Sequence, residues 1–245
     1  MCMRTTAITL SKRIALVTGA SRGIGKAASE ALAKAGAHVV LVARDKTRLN
    51  AVQSIIKDNG GEASIFPCDL SVRKKIESIG PHIKKDFGRL DILIGNAGIS
   101  GEYKFLHKSD PALWNKVMDV NLNANFHLIR TLHELLLESD AGRVMFVTSG
   151  AAKQPFKQWG DYCVSKAALE ALAYQYIEET KGTNICVNLI DPGEIQTDMQ
   201  REIPDSNWYS LQTPESIAQV FVKHADPTCK IHGKRIKAWL KKETK

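Results

Sequence analysis

The sequence predicts an α/β fold, a doubly wound parallel sheet with helices on both faces. Three observations point to it. Short β-branched runs alternate with longer helical stretches along the whole chain. No linker, internal repeat or low-complexity segment interrupts that alternation, so residues 1–245 are expected to form one domain. With 245 residues, 44% of them hydrophobic, the chain can bury a core on each side of a sheet.

The elements follow in order. Residues 1–11, at the start of MCMRTTAITLSKR, lack a seven-residue apolar stretch and a signal-cleavage pattern, and are expected to be a flexible lead-in. RIALVT (13–18) predicts the first strand, and IGKAASEALAKAG the helix that follows a Gly-rich turn. HVVLVA (38–43) predicts the second strand, and RLNAVQSIIKDNG the next helix. EASIFP (62–67) is a weaker strand, followed by helix over about 72–87. LDILIG (90–95) is a fourth strand, and one long helix is expected over about 110–138, with Pro111 where a first turn tolerates it. GRVMFVTS (142–149) and NICVNLI (184–190) are strands flanking an Ala-rich helix that opens at GDYCVSK. Thr213 and Pro214 mark a further helix start, and KRIKAW (234–239) reads as a last strand. Right-handed crossovers between such strands give a doubly wound sheet, whose ligands bind beyond the carboxyl ends of the strands.

Those strand ends carry the polar residues. TGASRGIG (18–25) follows the first strand, where glycines allow a tight turn and the next helix offers unpaired N–H groups to a pyrophosphate. The second strand ends in Ala43, Arg44 and Asp45, and Arg22 lies in the glycine turn. Two guanidinium groups suit a 2′-phosphate, so NADP(H) is preferred, with NAD(H) the alternative that Asp45 leaves open. Asp69 ends the third strand, where it could take an adenine amino group, and GNAG (95–98) ends the fourth with small residues that permit close approach. Ser149 ends the fifth strand, Asn121 lies in the long helix, and Pro192, Gly193 and Thr197 follow the sixth strand. Tyr162 and Lys166, four residues apart, share one helix face, and the cation is expected to hold the phenol below its reference pKa of about 10.

Together these residues resemble the short-chain dehydrogenase/reductase family over about residues 12–200. TGASRGIG looks like its TGxxxGxG turn, NAG and YCVSK its NAG and YxxSK motifs, and DPGEIQT its PGxxxT segment. The resemblance implies a Rossmann-type sheet of about seven strands and nicotinamide-dependent hydride transfer between a carbonyl and an alcohol. Tyr162 would be the general acid or base, Lys166 its electrostatic partner on the nicotinamide ribose, and Ser149 the group orienting the substrate oxygen. Asn121 would hold a water connecting Lys166 to solvent. Cofactor contacts carried over are Gly19, Ser21, Arg22, Gly23, Ile24 and Gly25 in the turn, then Arg44, Asp69, Leu70, Asn96, Ala97 and Gly98. Tyr162, Lys166, Pro192, Gly193, Ile195 and Thr197 complete the set. Pairing through two helices into a homodimer or homotetramer is also implied, and the chain looks closest to compact bacterial oxidoreductases.

The chain departs from the family pattern at its end. Residues 198–212 form a short lid, with Met199, Trp208 and Tyr209 as expected apolar contacts, and KIHGKRIKAW stands where a TGQ…VDGG stretch is common. The substrate is therefore left as a small-molecule or acyl carbonyl or alcohol. A 3-oxoacyl-[acyl-carrier-protein] reductase is one alternative and a non-catalytic NADPH-sensing protein another. The formal charge of +8 is concentrated at the end, where the last sixteen residues hold seven Lys/Arg against one Glu. The basic tail at 240–245 is read as a solvated end, with neither nucleic acid nor membrane as partner. Five scattered cysteines without a CxxC pair suggest no zinc site, no bound metal and a reducing, cytoplasmic location.

Overall fold

The computed structural model describes residues 8–203 and 206–239. Seven parallel strands form one sheet, β1 (Ile14–Thr18), β2 (His38–Ala43), β3 (Glu62–Pro67), β4 (Ile92–Gly95), β5 (Arg143–Val147), β6 (Cys186–Asp191) and β7 (Arg235–Lys237). Their order is β3-β2-β1-β4-β5-β6-β7. The chain winds outward from β1 to β3, then returns to lay β4 against the other side of β1, with Ala15 opposite Ile92. That reversal opens a crevice at the carboxyl ends of β1 and β4.

Period-two side-chain alternation divides the strands between two cores. Leu16, Val40, Val42, Val144 and Phe146 face one core. There they meet α3 (Arg73–Glu77), α4 (Ile79–Phe87), α6 (Ala124–Leu137) and α7 (Gly160–Glu179). Ala15, Val17, Val39, Leu41, Met145 and Val147 face the other core. It is closed by α1 (Gly23–Lys34), α2 (Lys46–Asp58) and α9 (Pro214–Ala225). Both faces being covered explains why the strands read as continuous apolar runs.

Three expectations are corrected. The expected lead-in is anchored at Leu10, which is fully buried and whose amide donates to the Ala35 carbonyl, while Thr9 and Ser11 are exposed and 1–7 lie outside the described residues. Leu10→Ala is accordingly expected to cost about 2–5 kcal/mol, read as a fall in denaturation midpoint; a change near zero would detach this segment from the core. The helix expected over 72–87 is two, because the chain turns at Ser78. The helix expected over 110–138 is also interrupted. α5 (Pro111–Met118) and α6 are joined by one π-helical turn, Asp119–Asn123, which widens the backbone at Asn121. Among the described residues no helix is long and apolar enough to cross a membrane.

Candidate active site

Local sequence builds the cleft from the glycine turn upward. Gly19 and Gly23 adopt φ of +66° and +54°, a region that L side chains rarely enter. A Cβ on Gly19 would sit 2.8 Å from Asn96 Nδ2, so the turn can lie against the end of β4 only without one. Asn96 fixes that approach: its Nδ2 donates to the Thr18 carbonyl at 2.9 Å, and its amide to Thr18 Oγ1 at 2.9 Å. α1 begins directly after Arg22 with no side-chain cap, leaving its first N–H groups facing the cleft.

The cleft encloses about 1120 Å³ above the carboxyl ends of the strands. Every cofactor residue expected from the sequence lines it except Gly25. Gly25 instead packs beneath the turn, where a Cβ would come 2.6 Å from Asn96 Nδ2. Ser149, Tyr162 and Lys166 also line the cleft; Asn121 does not.

At the end of the cleft beside β2, the charges sort themselves differently from the expected Arg22–Arg44 pair. Arg22 Nη1 is 2.7 Å from Asp198 Oδ2, at the start of the short helix α8 (Asp198–Arg201). Asp45 is the N-cap of α2, accepting the Arg48 amide at 3.0 Å and lying 3.4 Å from Arg48 Nε. Its carboxylate is thus turned toward the helix start. Arg44 makes no ion pair among the described residues. Arg48, four residues after Arg44, also lines the cleft. Burial alone would raise the Asp69 pKa, but the Ser71 donors and the charges of Arg44 and Lys75 hold it below the ordinary carboxylate value.

At the other end Tyr162 and Lys166 rise from the first turns of α7. Lys166 is almost fully buried, its Nζ donates to the Val147 carbonyl at 2.8 Å, and it stands 5.7 Å from the centre of the Tyr162 ring. Burial dominates both groups. It pushes the Tyr162 phenol up to about 12, against the Ser149 hydrogen bond that favours the phenolate. It also pushes the Lys166 ammonium down to about 8. The expected acidification of the tyrosine by its cationic neighbour is therefore reversed, because desolvation disfavours each charged form.

Asn121 occupies the π turn. Its Oδ1 accepts the Ile99 amide, and its Nδ2 donates to the Ile99 carbonyl and to Ser165 Oγ, all at 2.9 Å. Both amide hydrogens are used on protein acceptors, so the side chain braces the loop after β4. A Cβ on Gly98 would lie 3.3 Å from Asn121 Oδ1 and 3.6 Å from Lys166 Nζ, so both side chains close around that glycine.

The lid departs from expectation as well. Met199 lines the cleft, but Trp208 and Tyr209 do not. The Trp208 indole N–H donates to the Thr197 carbonyl at 3.2 Å and its ring stacks under Arg201, while Tyr209 is 89% exposed. The apolar wall comes instead from Tyr103, Phe156 and Trp159 on one side and Trp239 on the other. Tyr103 and Trp159 ring centres are 5.2 Å apart, and Trp159 meets the Tyr162 ring edge-on at 6.2 Å. Only Arg48 had a local signal, its i+4 spacing from Arg44; the aromatic wall joins segments distant in sequence.

A glycine-cradled helix start, a strand-end acidic residue and a Ser–Tyr–Lys group on one cleft define a nucleotide-linked oxidoreductase site. The family model for short chain dehydrogenases matches residues 13–208. The chain belongs to that family and is an oxidoreductase. It is 35% identical over 217 residues to the uncharacterized oxidoreductase YciK of Escherichia coli, covering 87% of this chain and 86% of YciK. It is 33% identical to the Escherichia coli 3-oxoacyl-[acyl-carrier-protein] reductase FabG, across 79% of this chain and 78% of that protein. Among solved structures, a Shigella flexneri short chain dehydrogenase complexed with NADP superposes with a TM-score of 0.90 at 32% identity, covering 95% of this chain and 99% of that one.

Proposed function

We propose that the protein is an NADP(H)-dependent oxidoreductase that interconverts a carbonyl and an alcohol, with Tyr162 as the proton donor and acceptor. The observation that carries this reading is the convergence of Ser149, Tyr162 and Lys166 on the same cleft as the uncapped start of α1. The residues fit the dinucleotide: glycines clear its path, helix N–H groups meet the pyrophosphate, and Arg44 and Arg48 offer donors to a 2′-phosphate. The bound nicotinamide supplies or accepts the hydride.

The chain's own groups handle the proton. A phenol held at about 12 stays protonated at neutral pH, so Tyr162 is charged with the proton that a carbonyl oxygen needs on reduction. Ser149 donates a hydrogen bond to that oxygen as negative charge builds on it. Lys166, cationic below about pH 8, stabilises the phenolate left behind and binds the ribose hydroxyls. The water relay from Lys166 is proposed to run past the Asn121 turn, which shapes the passage while its amide holds Ile99.

The Tyr103, Phe156 and Trp159 wall favours a substrate with an apolar body beside its carbonyl. The resemblance to FabG keeps 3-oxoacyl thioesters within that class. Exposed Phe126 on α6 and Val164 and Tyr174 on α7 support pairing of subunits through these helices. The four cysteines in the described region are free, in keeping with a reducing cytoplasmic setting.

The reading is tested by following NADPH and NADH oxidation spectrophotometrically over a panel of ketones, aldehydes and acetoacetyl thioester. Turnover with NADPH is expected. Tight NADPH binding with no turnover on any carbonyl would favour a sensing protein instead. Arg44→Asp is expected to reduce the preference for NADPH over NADH by roughly 10–100-fold, the worth of a charge-assisted hydrogen bond to phosphate; unchanged selectivity would place the phosphate elsewhere.

A further inference from the structure

The last strand contributes a side chain that the reaction scheme above does not use. Arg235, at the start of β7, has only 15% of its side chain exposed, and each of its three nitrogens donates to a different segment. Nε donates to Glu170 Oε1 at 2.8 Å, Nη1 to Asp191 Oδ2 at 2.8 Å, and Nη2 to the Ser149 carbonyl at 2.9 Å. These acceptors sit on the three pieces of backbone that build the reactive end of the cleft. Glu170 lies one turn beyond Lys166 on α7 and also accepts Thr148 Oγ1 at 2.8 Å. Asp191 ends β6, and its Oδ1 accepts the Gly193 amide at 3.2 Å, fixing the turn that lines the cleft. Ser149 is the donor expected to meet the substrate oxygen. Both carboxylates are buried, with side-chain exposures of 7% and 6%, and Arg235 does not itself line the cleft.

We propose that Arg235 is a positioning residue for the hydride-transfer reaction, setting Ser149 against Tyr162 and the Asp191–Gly193 turn through its guanidinium fork. The fork is planar and directional, so it fixes three acceptors relative to one another; an ammonium is a point charge and cannot. Ser149 lies two residues past the end of β5, as the N-cap of a short 3-10 turn, and its hydroxyl orientation depends on where the backbone carries it. The Arg235–Ser149 carbonyl bond joins that backbone to α7, the helix bearing Tyr162 and Lys166. A displacement of about 1 Å at such a donor can cost on the order of 100-fold in rate.

The inference rests on the proposed reaction, and its test separates the two. kcat, NADPH KM and melting temperature are measured for wild type, Arg235→Lys, Ser149→Ala and the double variant, using the best carbonyl from the panel. Arg235→Lys is expected to lower kcat by roughly 10–100-fold and Ser149→Ala by about 100–1000-fold. NADPH KM should change less than about threefold in Arg235→Lys, since the adenosine end is untouched. On the Ser149→Ala background, Arg235→Lys should cost less than about twofold more, because its effect passes through the serine. A merely structural arginine would lower the melting temperature with kcat per folded enzyme unchanged, or give losses that multiply; either result overturns the proposal. If Arg235→Lys does not fold, Glu170→Gln takes its place in the same cycle, with a smaller loss that again vanishes without Ser149. A wild type inactive on the whole panel would count against the reaction and leave the positioning to crystal structures of wild type and variant. A Ser149 hydroxyl shifted out of hydrogen-bond range of Tyr162 in the variant supports the proposal, and an unmoved one overturns it.

Discussion

Tyr162→Phe is expected to lower kcat by about 100–10,000-fold, the usual worth of a positioned general acid, while NADPH affinity changes only a few-fold. The substitution removes one oxygen and keeps the ring, so the edge-on packing against Trp159 survives. The loss should therefore fall on the chemical step, with stability close to wild type. Fluorescence titration with NADPH and steady-state kinetics on one carbonyl substrate read the two parts separately. A variant retaining more than about a tenth of the wild-type rate would remove Tyr162 from the proton transfer.

Lys166→Met should be comparably damaging, on the order of 100-fold or more in kcat, and it should also change how the enzyme responds to pH. Burial lowers the Lys166 pKa from 10.5 to about 8. Reduction needs the ammonium, so wild-type kcat/KM should be flat below that value and fall by about tenfold per pH unit above it. The variant should lose this descending limb. Stability should move the other way. The folded protein binds fewer protons at Lys166 than the unfolded chain between about pH 8 and 10.5, so the lysine's destabilising effect is full below 8 and fades as pH rises toward 10.5. Lys166→Met is then expected to melt higher than wild type at pH 7, with the gain shrinking toward pH 10.5. A variant less stable at pH 7 would mean the ammonium is better paired than its Val147 carbonyl bond suggests.

What could be read from the sequence was local. The glycine turn, the residues closing each strand and the Tyr162–Lys166 spacing depend on neighbours in the chain, and every cofactor residue expected from them except Gly25 lines the cleft. All seven strands lie within two residues of where their apolar runs placed them, and β2 and β3 have the expected bounds. The π turn at Asn121 was hidden because its residues carry no Gly or Pro to mark a break. Burial reverses the electrostatic expectation for Tyr162, and burial is a property of the assembled walls, to which Tyr103 and Trp159 come from distant segments. The contacts of Arg235 were equally invisible: its partners lie 44, 65 and 86 residues away, and within KIHGKRIKAW it reads as one more charge in a basic stretch. Asp45 could not be assigned between ribose and helix cap until α2 was seen to begin on it.

The central claim is that this cleft holds a nicotinamide ring against the Tyr162 hydroxyl. A crystal structure with NADP bound tests it most directly. The ring is expected in van der Waals contact with Tyr162 and Ser149, the ribose hydroxyls on Lys166, and the 2′-phosphate against Arg44 and Arg48. A dinucleotide seated with its nicotinamide away from Tyr162, or a tyrosine hydroxyl turned out of the cleft with cofactor in place, would contradict it.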